Sequence, residues 1–173
     1  MRMSKFGANF IPDKVFANIQ DITPEWLLSK GLRGLAVDLD NTLAGYGQKR
    51  PTPDVILWIG RMCEAGLRVV IITNNAEDRV RQFCAGLPVA YVHRARKPFL
   101  PGFKRAVELL GLPPDQVGEV GDQIYTDVLG AKRSGLFSIL VTPLHLKGHF
   151  FFSLRRLLEQ PFIRKALQRD ACR

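Results

Sequence analysis

The chain has 173 residues, 46% of them hydrophobic and 24% charged, with a formal net charge of +9 at neutral pH. That length and composition describe one globular domain with a substantial core and exclude disorder on a large scale. Cys63, Cys84 and Cys172 are far apart and form no C-x-x-C pair, which excludes a disulfide framework and a cysteine zinc site and suits a reducing compartment.

The charge is unevenly placed. From Thr142 to Arg173 seven basic residues face only Glu159 and Asp170, a net +5 in the last fifth of the chain. An acidic partner is expected, whether nucleic acid, anionic membrane or phosphorylated small molecule. No apolar run approaches the roughly 20 residues of a membrane span, and the N-terminus lacks a signal peptide's apolar region, so a cytoplasmic location is expected.

In chain order, Pro12 is expected to start a short helix among Phe6, Phe10, Val15 and Phe16. Thr23-Pro24-Glu25 starts a helix through a capping side chain, a proline at the first helical position and an acid in the first turn, and Gly31 ends it. Leu35-Ala36-Val37 reads as a buried strand that stops at Asp38. Thr52-Pro53-Asp54 repeats the helix start, and Val55, Ile59, Met62 and Cys63 recur at helical spacing until Gly66. Leu67 to Ile72 is the β-branched run of a strand buried on both faces, ending at Thr73. A helix to about Cys84, a strand Val89 to Val92 and the basic loop 93–98 follow, then a helix from Pro101 to Gly111 and a strand from Gln116 to Val120 ending at Gly121-Asp122. A helix carrying Asp127 and a last strand, Phe137 to Val141, complete the alternation. Strand and helix in turn predict an α/β domain with a parallel sheet. Residues 145–169 read as two short amphipathic helices broken at Pro161, with apolar stripes Phe151, Leu154, Leu158 and Phe162, Ala166, Leu167 and with Arg155, Arg156, Arg164 and Lys165 off them. Such helices suit an anionic membrane surface, or equally pack back on the domain with a solvated basic face.

The polar groups collect at strand ends: Asp38, Asp40 and Thr42, then Thr73, Lys97, Asp122 and Asp127. In an open parallel sheet that edge binds ligands. Taken alone, Asp38 and Asp40 are a metal site, a catalytic pair or an acidic turn. Taken together, the groups supply the parts that phosphoryl transfer needs. Asp38 can attack phosphorus, Asp40 can protonate the leaving oxygen and activate water, and Thr73 and Lys97 can hold phosphate oxygens. Magnesium takes hard oxygen ligands, for which Asp38, Asp122 and the Asp40 carbonyl would suffice.

Asp38-Leu39-Asp40-Asn41-Thr42, Thr73-Asn74-Asn75, Lys97-Pro98 and Gly121-Asp122-Gln123 through Thr126-Asp127 resemble the four motifs of the haloacid dehalogenase (HAD) superfamily of phosphatases. The resemblance spans about residues 31–142 and implies a Rossmann-like fold. By it Asp38 is the nucleophile, Asp40 the acid/base, Thr73, Asn74 and Lys97 the phosphate holders and Asp38, Asp40 and Asp122 the magnesium site, with Thr42 and Asp127 in support. Asp40 favours phosphoryl over dehalogenase chemistry. Asp21-Ile22-Thr23-Pro24, Ala95-Arg96-Lys97-Pro98 and Thr126 to Gly130 are further similar to the YqeG branch, which implies phosphatidylglycerophosphate as substrate and phosphatidylglycerol as product.

The segments Leu43 to Leu67 and Ala76 to Val89 leave no room for a large cap domain, so an open site is expected, able to accept a bulky phosphate. The expected layout is a phosphatase domain at 1–144 and a basic amphipathic tail at 145–173 that touches the inner face of an anionic membrane. Three rivals stand beside it. A nucleic-acid phosphatase is disfavoured because the tail offers no stacking platform. A HAD phosphatase for soluble or protein phosphomonoesters remains open. A receiver-like phosphate switch uses similar groups in a different order.

Overall fold

A computed structural model describes residues 5–145 and 150–171, with side chains described for 7–145 and 157–170. Six strands, β1 (Lys14–Phe16), β2 (Gly34–Val37), β3 (Arg68–Ile72), β4 (Ala90–Val92), β5 (Val117–Gly121) and β6 (Phe137–Val141), form one parallel sheet in the order β1-β6-β5-β2-β3-β4. The helices are α1 (Lys5–Ala8), α2 (Pro24–Ser29), α3 (Pro53–Glu64), α4 (Glu77–Cys84), α5 (Leu100–Leu110), α6 (Leu129–Arg133) and α7 (Phe150–Ala171). Local signals account for several boundaries. The hydroxyls of Thr23 and Thr52 accept the backbone N–H groups of Trp26 and Val55 at the starts of α2 and α3. Gly111, at φ 59°, closes α5 in the left-handed conformation.

Alternating strand residues divide the core into two layers. Leu35, Val37, Val69 and Ile71 pack with Leu27, Trp58, Ile59 and Phe83 beneath α2, α3 and α4. Ala36, Val70 and Ile72 pack with Phe103, Ala106, Leu110 and Ala131 beneath α5 and α6. From β2 the chain winds outward through β3 and β4, then returns to lay β5 on the other side of β2. The strand order therefore reverses between β2 and β5, and Asp38 and Asp122 stand just past the C-terminal ends of those two strands. Neither the 38–52 connection nor the 73–76 connection carries an inserted domain, so the sheet edge has no cap over it among the described residues.

Two expectations are corrected. Pro12 starts no helix; Lys14–Phe16 instead pairs with Ile139, Leu140 and Val141 as an edge strand. Asp13 decides this, since its carboxylate accepts from the backbone N–H and hydroxyl of Ser138 and from Lys132. A three-residue strand is too short to show periodicity in sequence.

Residues 150–171 form one helix through Pro161 rather than two broken at it. Glu159, Ile163 and Ala166 recur on one face and are buried on both sides of the proline, and this shared packing outweighs the lost hydrogen bond. Ile163 meets Ile124, Val128 and Leu140, with Phe162 beside it. Asp170 pairs with Lys14 at 3.1 Å, and Arg169 donates to the carbonyls of Pro12 and Asp13. Leu167, expected on the apolar stripe, is 49% exposed. Phe151, Leu154, Arg155 and Arg156 lie outside the described side chains.

Glu159 does a specific job here: its Oε1 accepts the N–H of Ile124 at 3.0 Å, at the start of a π-helical turn, Ile124–Val128, whose own N-cap offers no side-chain bond. Glu159→Ala leaves that buried donor unpaired and is expected to remove about 1 to 3 kcal/mol of stability. Leu167→Ala, on the exposed side of the same helix, should stay within about 0.5 kcal/mol of wild type. Urea denaturation of both variants checks the contrast.

Candidate active site

Asp38 continues the β2–β5 ladder, its N–H donating to Val120 at 2.8 Å, so its carboxyl is carried by the rigid centre of the sheet. The side chain is buried, and its Oδ1 accepts from the Lys97 ammonium at 2.6 Å. Lys97 also bonds Asp127 Oδ1 at 2.7 Å and the Ile72 carbonyl at 3.1 Å. An ammonium has three donors, so Lys97 must exchange one of these contacts before it can touch a phosphate oxygen. Burial alone would lower its pKa, but Asp127 and Asp38, with Glu119 behind them, raise it above the ordinary lysine value, and Lys97 stays charged. Burial lifts the Asp38 carboxyl to about 6 against the pull of Lys97, with Asp127 adding to the rise.

Asp40 takes a different direction. Its Oδ1 accepts from Arg79 at 3.0 Å and its Oδ2 from the side-chain amide of Asn75. Both partners come from the β3–α4 segment, which fixes the carboxylate's orientation. Neither residue is among those that the sequence alone singles out for a role. The signal available for Asn75 was its place in Thr73-Asn74-Asn75; Arg79 lies one helical turn further on, and nothing local ties it to Asp40.

Thr73 is buried, and its Oγ1 accepts from both the backbone N–H and the side-chain amide of Asn75, which leaves its O–H as a donor toward a ligand. Asn74, expected to hold phosphate, has its side chain engaged by the Lys97 backbone. Its side-chain oxygen accepts the Lys97 N–H at 2.6 Å and its amide donates to the Lys97 carbonyl at 3.2 Å, so its side chain braces the lysine's backbone. Thr42 is buried, with no hydrogen-bond partner for its hydroxyl among the described residues.

Oxygens of Asp38, Asp122 and Asp127 lie within 4.8 Å of one another. The Asp40 carboxylate, turned to Arg79 and Asn75, is outside that group. Gly121 makes the cluster compact, because a Cβ there would stand 2.4 Å from the Asp127 Cγ. Asp127 Oδ2 is further held by the Gln123 N–H at 3.0 Å. Three buried carboxylates around one ammonium leave negative charge in excess, and the donors are all hard oxygens. The cluster therefore fits a divalent cation of the magnesium class.

Behind it sits Glu119, fully buried in the middle of β5 opposite Ala36 and Ser138. Neither carboxyl oxygen has a hydrogen-bond partner among the described residues. Burial first, and then Asp127, push its pKa well above the ordinary glutamate value. A charged residue inside the apolar run Val-Gly-Glu-Val-Gly is the visible signal for it in sequence.

Comparison with known proteins is consistent with this geometry. A family model described as "HAD-hyrolase-like" matches residues 94–143. The "Probable phosphatase YqeG" of Bacillus subtilis (strain 168) is 39% identical over 160 residues, covering 92% of each chain. The "Phosphatidylglycerophosphate phosphatase 1, chloroplastic" of Chlamydomonas reinhardtii is 28% identical over 162 residues, which cover 86% of this chain and 60% of that one. Among solved structures, the cobalt-bound deoxy-D-mannose-octulosonate 8-phosphate phosphatase of Haemophilus influenzae shares the fold at a TM-score of 0.54 and 13% identity, covering 73% of this chain and 75% of that one.

Proposed function

We infer a mechanism and a substrate from one premise: the chain belongs to the haloacid dehalogenase superfamily, in the branch of the YqeG phosphatase, and is a HAD-type phosphatase. The observation that carries the mechanism is the division of labour between two carboxylates two residues apart, Asp38 held by Lys97 and Asp40 held by Asn75 and Arg79.

With Oδ1 tied to Lys97, Oδ2 of Asp38 is the atom that attacks the phosphorus of a phosphomonoester. The bond from phosphorus to the ester oxygen breaks, Asp40 gives that oxygen its proton, and the phosphoryl group rests on Asp38 as an aspartyl phosphate. Asp40 then takes a proton from water, whose oxygen attacks phosphorus and returns Asp38 with release of inorganic phosphate. The Thr73 hydroxyl and Lys97 hold the phosphoryl oxygens. Asp38 and Asp122, with the Asp40 carbonyl and with Asp127 alongside, would hold magnesium, which when bound neutralises charge on the phosphoryl oxygens.

This has a pH signature. A carboxyl lifted to about 6 must lose its proton to bind a cation, so magnesium affinity should rise with pH through that value and level off above it. At pH 5 the ionised fraction is about one-tenth, and magnesium should bind about ten-fold more weakly than at pH 7.5. Calorimetric titration of the metal-free protein at the two pH values measures this.

The substrate reading is phosphatidylglycerophosphate, giving phosphatidylglycerol. It is supported by the algal relative named above, by the uncapped sheet edge and by the basic excess. Phosphate release from phosphatidylglycerophosphate in detergent micelles, set against nucleotides, sugar phosphates and phosphopeptides, tests it. A clear preference for any of the soluble esters would replace the lipid with that class.

A further inference from the structure

A groove of about 920 Å³ opens beside the site, between the first turns of α5 and the end of α6. Arg96, Lys104, Arg105 and Arg133 line it together with Phe99 and Leu100, and among the described residues the one acid on its wall is Glu108, a net charge of +3. Phe99 is 61% exposed and Leu100 41%. Single exposed apolar side chains are ordinary on a protein surface, but adjacent bulky ones set among cations mark a binding face.

Its link to the catalytic centre is rigid and short. Along the loop before α5, Ala95 and Lys97 are buried while Arg94 and Arg96 are exposed. Arg94 and Arg96 have φ of 44° and 55°, left-handed backbone that is uncommon outside glycine. The surroundings hold them there: Arg94 N–H donates to Asn75, Ala95 N–H to Thr73 and Phe99 N–H to Arg96. Gly102 lets α5 press on this loop, since a Cβ there would lie 2.3 Å from the Ala95 carbonyl oxygen. Adjacent residues thus point Lys97 at Asp38 and Arg96 into the groove. Across the crevice, the connection after β2 carries Tyr46, 60% exposed, and Leu144, 50% exposed, is tied to that connection through the Asn41 carbonyl.

We propose that this groove docks the protein on an anionic lipid bilayer, Arg96, Lys104, Arg105 and Arg133 meeting lipid phosphates while Phe99 and Leu100 enter the interface. It rests on the lipid-substrate reading and places the membrane-facing surface on α5 and its preceding loop, whereas the described side chains of α7 include a buried face packed on the sheet. Charge complementarity and exposed apolar groups on one face select a surface that is both anionic and apolar beneath, which a nucleic acid or an acidic peptide is not.

The test uses the full chain and a triple variant, Phe99→Ser, Lys104→Gln and Arg133→Gln, all at exposed positions away from the reacting groups. Sedimentation with vesicles of equal parts phosphatidylglycerol and phosphatidylcholine should retain wild type, and pure phosphatidylcholine vesicles should not. Each cation removed should weaken binding about five-fold, so the variant should partition at least about twenty-fold less. Its turnover of p-nitrophenyl phosphate should equal wild type. Wild-type binding that is absent, indifferent to phosphatidylglycerol or unchanged in the variant overturns the proposal. Hydrolysis of phosphatidylglycerophosphate in detergent micelles separates the two readings. Groove-dependent vesicle binding without that hydrolysis removes the substrate and keeps the docking face; hydrolysis with groove-independent binding does the reverse.

Discussion

Asp38→Asn should leave a folded protein whose phosphate release falls on the order of 10⁴-fold or more, the loss typical of removing a nucleophile that acts within a unit. The amide matches the carboxylate in shape, and its carbonyl can still accept from Lys97, which keeps Asp127 and the Ile72 carbonyl as partners. Stability is therefore preserved while the attacking oxygen is lost. A neutral group also replaces a carboxyl that burial has already made hard to ionise, so the folded state sheds a desolvation penalty in the same step. Phosphate release, read alongside a thermal melt, separates chemistry from folding. Near-wild-type turnover in the folded variant would remove Asp38 from the nucleophile's role.

Lys97→Met should have the largest effect on stability. Lys97 lies between Asp38 and Asp127 at 2.6 and 2.7 Å, nearly sealed from solvent, and methionine replaces its volume without its charge. Breaking a buried pair this way costs about 3 to 5 kcal/mol, because the remaining carboxylates have no counter-charge. The sign of the pH dependence follows. An acid whose folded pKa is raised binds protons more readily in the folded state, so its burden on stability is greatest above that pKa and is relieved as pH falls toward the unfolded value near 4. Asp38 sits at about 6 even with Lys97 present, and the loss of Lys97 raises it further. The variant should then be closer to wild type in stability at pH 5 than at pH 8. Added magnesium should stabilise it by mass action at the higher pH. Denaturation at both pH values, with and without magnesium, decides this; an equal deficit at pH 5 and pH 8 would show that the lysine's charge is not what matters.

Much of the fold was legible because its signals are local. Thr23 and Thr52 announce α2 and α3, the β-branched run before Thr73 announces β3, and regular alternation announces a parallel sheet. The edge strand β1 was not legible, since Asp13 is drawn to Ser138 from 125 residues away. The same holds for α7, where Pro161 is a local stop signal that the packing of Glu159, Ile163 and Ala166 overrides. Within that helix Ile163 packs on Ile124, Val128 and Leu140, and Glu159 accepts the N–H that opens the turn following Asp122 and Gln123.

At the site, residue type and order along the chain specify which chemical groups stand at the strand ends. That was enough to point to phosphoryl transfer and to separate this chain from a receiver-like switch. How those groups divide among themselves depends on the folded sheet. Lys97 bonds Asp38 and Asp127, Asn75 and Arg79 bond Asp40, Asn74 braces the Lys97 backbone, and Glu119 lies buried beneath them. Each of these relations joins residues on different strands or loops, and their strengths depend on burial and on distances that only the folded sheet sets.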